Sequence, residues 1–258
     1  MRQVTSADGT PIAVFETGAG DPVVIVNGAF STAHDAEGLA HALAEGGFRA
    51  VTYDRRARGE SGDTPPFTPQ REAEDLAAVI ASTGAESAVL GHSSGAVLAL
   101  FAASLGTPVR HLFLSEPPFH FGEGDPAPDF VDRLQAAVDE GRAADAVMLF
   151  QREGVGLPDD VIAQIRQSPL FETLLPLARS TVYDATLTRD LSTPTLDMLA
   201  IPAPVTILCG EQTFPMLSAA AERLASELAG AELLVMPESV MHRLDATAAA
   251  RVVSERLT

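Results

Sequence analysis

Apolar residues along the chain follow two rhythms that take turns. Short, mostly apolar runs include Val23-Val24-Ile25-Val26, Phe48 to Tyr53, Ser87-Ala88-Val89-Leu90 and Val109 to Leu114. Such runs predict strands buried on both faces. Between them lie longer segments with helical patterning, over Thr32 to Glu45, from Thr68-Pro69 to about Thr83, and from Ala96 to Ala103. Thr68-Pro69 is a good helix start, with the threonine hydroxyl expected as N-cap and the proline at the first helical position. Gly46-Gly47, Gly84 and Gly106 mark the ends. Asp8-Gly9 predicts a hairpin joining two short N-terminal strands. Strands alternating with helices at this spacing predict a mostly parallel sheet covered on both faces.

The alternation stops between about Pro117 and Ile201 and then resumes. Inside that interval Phe130, Leu134 and Val138 recur at i, i+4 and i+8, as on one face of a helix. Ala144 to Arg152, Asp159 to Gln167 and Leu170 to Tyr183 are further helical candidates, and no strand is predicted there. Val205 to Cys209 is the next strand, Leu217 to Leu228 a helix, Leu233 to Met236 the last strand, and Asp245 caps a final helix. The simplest organisation is one core, residues 1–116 and 202–258, with a helical lid of residues 117–201 inserted after the sixth strand.

Gly91-His92-Ser93-Ser94-Gly95 sits between a predicted strand and a predicted helix. In that context G-x-S-x-G reads as a nucleophile elbow. Small residues flank the serine because strand and helix backbones approach closely there. Ser93 Oγ would stand above the sheet edge, and the Ser94 N–H would open a helix whose N-terminus favours negative charge.

Composition narrows the chemistry. The 258 residues carry 17 basic and 35 acidic side chains, a net charge of -18, which argues against nucleic acid and anionic membranes as partners. Every basic residue is arginine. Without a lysine, Schiff-base chemistry, a lysine-anchored pyridoxal cofactor and a P-loop are excluded. The one cysteine, Cys209, permits no disulfide within the chain. No G-x-G-x-x-G follows a strand, and the six histidines lack metal-ligand spacing. Neither a dinucleotide nor a metal is expected, and the predicted site needs no cofactor. Met1 to Gly9 contains no apolar leader segment, and no apolar stretch reaches the roughly 18 residues of a membrane span, so a cytoplasmic location is expected.

With these segments in order, the chain resembles the α/β-hydrolase superfamily over nearly its whole length. Four matches carry the resemblance. Asn27-Gly28-Ala29-Phe30 ends an apolar strand where the family has its His-Gly oxyanion turn. Tyr53-Asp54-Arg55-Arg56-Ala57-Arg58-Gly59-Glu60-Ser61 is like the family's D-x-R-G-x-G-x-S loop. The elbow at Ser93 is the third, and His242 after the last strand the fourth. Two departures stand out: Asn27 replaces a histidine, and Ala57 replaces a glycine. The resemblance implies an eight-stranded α/β-hydrolase fold and places the oxyanion donors at the Ala29 and Ser94 backbone N–H groups.

A serine hydroxyl needs a base within hydrogen-bond reach, oriented in turn by a carboxylate. Among the histidines, position favours His242. His92 lies within the elbow and would point away from Ser93 if the strand alternates. The acid has two candidates. Many members of the family place an aspartate a few residues beyond the strand ending Cys209-Gly210, where this chain reads Glu211-Gln212-Thr213-Phe214-Pro215 and Thr213 holds the site. Some members, certain lactone hydrolases among them, place a glutamate after the preceding strand, where Glu116 stands. Glu116 is the first choice and Glu211 the alternative.

The expected reaction is cleavage of a carboxylic ester or lactone in a neutral, fairly apolar small molecule through an acyl-enzyme on Ser93. Phe30, His120, Phe214 and Met216 are candidate substrate-binding residues. The apolar residues of the lid, from Phe119 and Phe121 to Leu174 and Leu175, are expected mainly to form its own core. The same scaffold also serves cofactor-free perhydrolases, lyases, natural-product cyclases and weakly catalytic ligand-binding proteins, and these are the alternatives.

Overall fold

A computed structural model describes residues 1–258. Eight strands form one sheet: β1 (Arg2–Thr5), β2 (Pro11–Gly18), β3 (Pro22–Val26), β4 (Arg49–Tyr53), β5 (Ala88–His92), β6 (His111–Ser115), β7 (Val205–Gln212) and β8 (Glu232–Val240). Their order across the sheet is β1-β2-β4-β3-β5-β6-β7-β8. β2 runs antiparallel to both neighbours, and from β4 to β8 every pair is parallel.

Alternation within each strand splits the core in two. Val24 and Val26 of β3 join Val89, Leu112 and Ile207 on one face, while Val23 and Ile25 join Leu90, Phe113 and Leu208 on the other. The first face is covered by α2 (Pro69–Ser82), α3 (Ser94–Ser104) and α10 (Pro215–Glu227), the second by α1 (Glu37–Glu45) and α11 (Ala246–Leu257). α3 is apolar all round and buried along most of its length. Such a helix needs cover on every side.

That cover comes partly from the insertion between β6 and β7. It comprises α4 (Phe130–Asp139), α5 (Ala143–Leu149), α6 (Asp159–Arg166), α7 (Pro169–Leu174), α8 (Ala178–Asp190) and α9 (Leu196–Leu199). Phe130, Leu134, Phe150, Phe171 and Leu174 form a separate apolar cluster within it.

Several local expectations are corrected. The segment from Leu170 to Tyr183 is not one helix. A 3-10 turn over Leu175–Leu177 separates α7 from α8, because Pro176 has no N–H to continue the ladder. Thr68 is the N-cap of α2, but its carbonyl, not its hydroxyl, receives the Arg71 N–H at 3.0 Å. Phe119 packs in the sheet core rather than in the lid. β8 is longer than its apolar run and reaches Val240, so only Met241 separates it from His242. No helix is long and apolar enough to cross a membrane.

Candidate active site

The chain reverses direction across the sheet at β3: β4 lies on one side of it and β5 on the other. Crevices at the carboxyl ends of strands beside such a reversal are the usual ligand sites of open α/β sheets. Asn27 to Ser31 leave β3 there, Ser93 leaves β5, Glu116 leaves β6 and His242 follows β8.

Ser93 has φ 55° and ψ -127°, a left-handed conformation unusual for a residue with a side chain. Strain of this kind costs on the order of 1–3 kcal/mol and persists only where the surroundings enforce it. Two close approaches enforce it here. A Cβ on Gly95 would lie 2.1 Å from the Val26 carbonyl, and one on Gly28 would lie 2.8 Å from Ser93 Cβ. The Ser93 N–H donates to the Ser115 carbonyl at 2.9 Å, while the Ser93 hydroxyl makes no capping bond to its own helix. The Ala29 N–H donates to no backbone carbonyl, and the Ser94 N–H, first in α3, has no intrahelical acceptor.

Glu116 is buried at the end of β6, with φ 46°. Its Oε1 accepts the Gly210 N–H at 2.8 Å, and its Oε2 lies 2.5 Å from His242 Nδ1. Burial raises the Glu116 carboxyl, but the His242 imidazole and the Gly210 N–H outweigh it and hold the group below the ordinary glutamate value. An ionised carboxylate only accepts, so Nδ1 of His242 carries the proton and Nε2 is left for another partner. His242 is partly exposed, and both it and Met241 have left-handed backbone, φ 59° and 51°. The Met241 N–H on Gln212 O at 2.8 Å and the Arg243 N–H on Val240 O at 3.0 Å pin the bend.

Glu211, the alternative acid, is exposed at the end of β7. Thr213, where an aspartate was the family expectation, lies beside the Glu116 carboxyl, although its buried hydroxyl has no well-aligned partner. The two candidate origins of an acid thus lie at one place, where the Glu116 carboxyl meets His242 Nδ1.

His92, expected to point away from Ser93, lies against His242. Its ring centroid is 4.7 Å from that of His242, and its Nδ1 is hydrogen-bonded to Ser115 Oγ at 3.0 Å. Burial, then the neighbouring His242, push the His92 pKa down to about 3. It is therefore a neutral ring at neutral pH. Position inside the elbow was the one sequence signal for it.

Of the candidate substrate-binding residues, Phe30 has φ 55° and packs edge-on against Phe150, centroids 5.2 Å apart. Phe214 lies 6.5 Å from the His242 ring. Met216 is exposed in the first turn of α10. His120 has Nδ1 3.3 Å from Glu123 O, and its backbone N–H donates to Ser192 O. Asn27, in place of a histidine, donates through Nδ2 to Thr32 O at 2.6 Å and so braces the turn. No group of three or more histidine, cysteine, aspartate or glutamate side chains is arranged to hold a metal ion.

Behind the turn lies a set of charges that no sequence pattern revealed. Arg55, Arg56 and Arg58 are all fully buried. Arg55 forks onto Glu72 at 2.6 and 2.8 Å and reaches Asp184 at 2.8 Å, and Arg58 takes the other Asp184 oxygen at 2.7 Å. Arg56 forks onto Asp75 at 2.7 and 2.8 Å.

A sheet of this order, a serine on a tight strand-to-helix turn and a histidine beyond the last strand together make the architecture of an α/β hydrolase. Residues 23–254 match the alpha/beta hydrolase family, and the chain belongs to it. An alpha/beta hydrolase from Sphaerobacter thermophilus is 39% identical over the full length of both chains and superposes with a TM-score of 0.92. The enol-lactonase from Burkholderia xenovorans is 21% identical, with 98% of this chain and 99% of that one covered and a TM-score of 0.72, a likeness of fold. A non-heme haloperoxidase from Rhodococcus erythropolis is 33% identical over 97 residues, 37% of this chain and 35% of that protein.

Proposed function

We propose that the protein is a serine hydrolase that cleaves esters or lactones of neutral, fairly apolar small molecules. The observation that carries this reading is the Glu116–His242 hydrogen bond at 2.5 Å, beside a serine on a strained elbow. Glu116 fixes the His242 tautomer, leaving Nε2 as the base. His92, next to Ser93 in the chain, packs on His242, and this supports pairing that imidazole with the serine. His242 takes the Ser93 proton as Oγ attacks the carbonyl carbon. The Ala29 and Ser94 N–H groups receive the oxyanion. His242 then protonates the leaving alkoxide, and water, deprotonated by the same imidazole, releases the acid from Ser93. Each oxyanion donor is typically worth about 3–4 kcal/mol in the transition state. Phe30, Phe150 and Phe214 supply apolar walls, which suits an uncharged substrate.

The test is a series of p-nitrophenyl esters and simple lactones, together with a fluorophosphonate probe. Ser93→Ala should remove labelling and turnover while the protein stays folded. Glu116→Gln should lower kcat by two orders of magnitude or more, and Glu211→Gln should leave it within about twofold. Full ester turnover in Ser93→Ala would refute the proposal, and a reversed order of the two glutamine variants would refute the choice of acid. The partial likeness to a non-heme haloperoxidase favours a second reading, a cofactor-free perhydrolase in which hydrogen peroxide replaces water as acyl acceptor. Peracid formation outpacing hydrolysis at equal acceptor concentration would select it.

A further inference from the structure

The buried arginines touch the back of the turn whose front would hold the oxyanion. Arg58 Nη1 donates to the Gly28 carbonyl at 2.5 Å and to the Ser31 carbonyl at 3.1 Å. Arg55 Nη1 donates to the Asn27 carbonyl at 3.2 Å. The Gly28 carbonyl and the Ala29 N–H belong to one peptide unit, and in a trans peptide they point in opposite directions. A cation on the oxygen therefore fixes the direction of the N–H and draws electrons from it, which makes it a stronger donor.

Asp184 holds both arginines, and it also accepts the Ser94 hydroxyl at 2.7 Å. Ser94 carries the second candidate donor. One carboxylate on α8 thus links the supports of both donors. The loop sequence Arg55-Arg56-Ala57-Arg58 is shaped for this. Ala57 has φ 60°, and this bend lets Arg55 and Arg58 turn to the same carboxylate.

We propose that Arg58 is a positioning residue for oxyanion binding: held by Asp184, it orients and polarises the Ala29 N–H through the Gly28 carbonyl. The inference rests on the serine-hydrolase reading, and it adds that the insertion takes part in catalysis through a residue that never meets substrate. Arg58 Nε finds no partner in its buried surroundings, so this arginine is not placed for optimal hydrogen bonding of its own. Its shortest contacts are the Gly28 carbonyl and Asp184.

The test compares the parent with Arg58→Met and with the charge-balanced double variant Arg58→Met/Asp184→Asn. Removing one member of a buried pair is strongly destabilising, whereas removing both often is not. The double variant therefore guards against a single variant that fails to fold. Steady-state hydrolysis of p-nitrophenyl butyrate and the rate of Ser93 labelling by a fluorophosphonate are read on whichever variant unfolds cooperatively. A fall in kcat of about 10- to 100-fold is expected, with KM within threefold and the pH profile unmoved, because the His242–Glu116 pair is intact. Labelling should slow in parallel, since the phosphonyl oxygen uses the same donors. A folded variant with kcat within threefold of the parent would overturn the proposal. So would a shifted pH profile, which would locate the damage in the triad, and so would failure of both variants to fold, which would make the network a matter of stability alone. If the parent itself neither turns over esters nor labels, the serine-hydrolase reading fails first.

Discussion

Of the non-glycine residues with left-handed backbone, Phe30, Ser93, Glu116, Met241 and His242 lie at or just beyond the carboxyl ends of β3, β5, β6 and β8. Backbone strain gathers where side chains must be aimed at one point. His92, packed against His242, is held neutral chiefly by burial. Its ordinary pKa is 6.5, and in the folded chain it is about 3. The unfolded chain takes up this proton as pH falls below 6.5, and the folded chain does not until about pH 3. The stability held by neutral His92 is therefore complete above pH 6.5 and is lost progressively on acidification. Glu116 faces the same cluster, but its carboxyl is held below its ordinary 4.5, so its contribution is lost only at lower pH. His92→Phe should flatten the decline of Tm between pH 6.5 and 4.5 relative to the parent. Melting curves that fall in parallel over that range would contradict this account.

Elements meet at the elbow with almost no space between them. The start of α3 lies against the end of β3, and Gly95 is the contact. Gly95→Ala should destabilise by about 1–3 kcal/mol or more, because backbone rather than a flexible side chain must give way. It should also displace Ser93 and depress ester turnover. Gly38 provides the contrast. It lies exposed in α1 with nothing within 4 Å of an added Cβ, so Gly38→Ala should stabilise by about 0.5–1 kcal/mol. Thermal melts of the two variants, moving in opposite directions, check both statements. The D-x-R-like loop is likewise a structural device. Asp54 accepts the N–H groups of Ala33 and Glu60, and Ser61 donates to the Asp54 carbonyl, which ties β4 to the turn after β3.

At the scale of the whole molecule, α8 attaches the helical insertion to the core. Asp184 enters the buried network, and one turn face away Tyr183 stacks on Phe67, centroids 4.1 Å apart and nearly parallel. The Tyr183 hydroxyl also bonds the Asp63 carboxylate at 2.8 and 2.9 Å. Tyr183→Phe keeps the stack and removes the bond, a loss of about 1–3 kcal/mol for a bond to a charged group. Hydrogen exchange should quicken in residues 63–67 and 178–190 and stay unchanged in β3, β5 and β6. Equal acceleration throughout the sheet would show that the insertion and core open together.

Strands buried on both faces were legible because most of their positions are apolar, and the elbow was legible because close backbone approach admits only small residues. The helical insertion was legible as an interruption of the strand–helix alternation. β8 was underestimated because it is a sheet edge: Pro237, Glu238 and Ser239 are tolerated there, and no apolar run marks its length. The break in the insertion at Pro176 carried a signal, a proline in mid-pattern. The arginines stand in the D-x-R-like loop, but nothing in the sequence marked their burial or their partners. Arg55 and Asp184 are 129 residues apart, and a buried ion pair has no period or motif. Local sequence marked the tight turn at Ser93, because only small residues fit where two backbones meet, while its strained backbone is held by the end of β3 and the turn after it. Only the tertiary structure could decide which carboxylate meets His242, where His92 points and what stands behind the Gly28 carbonyl, because charges pair through space and the chain order does not record the distance.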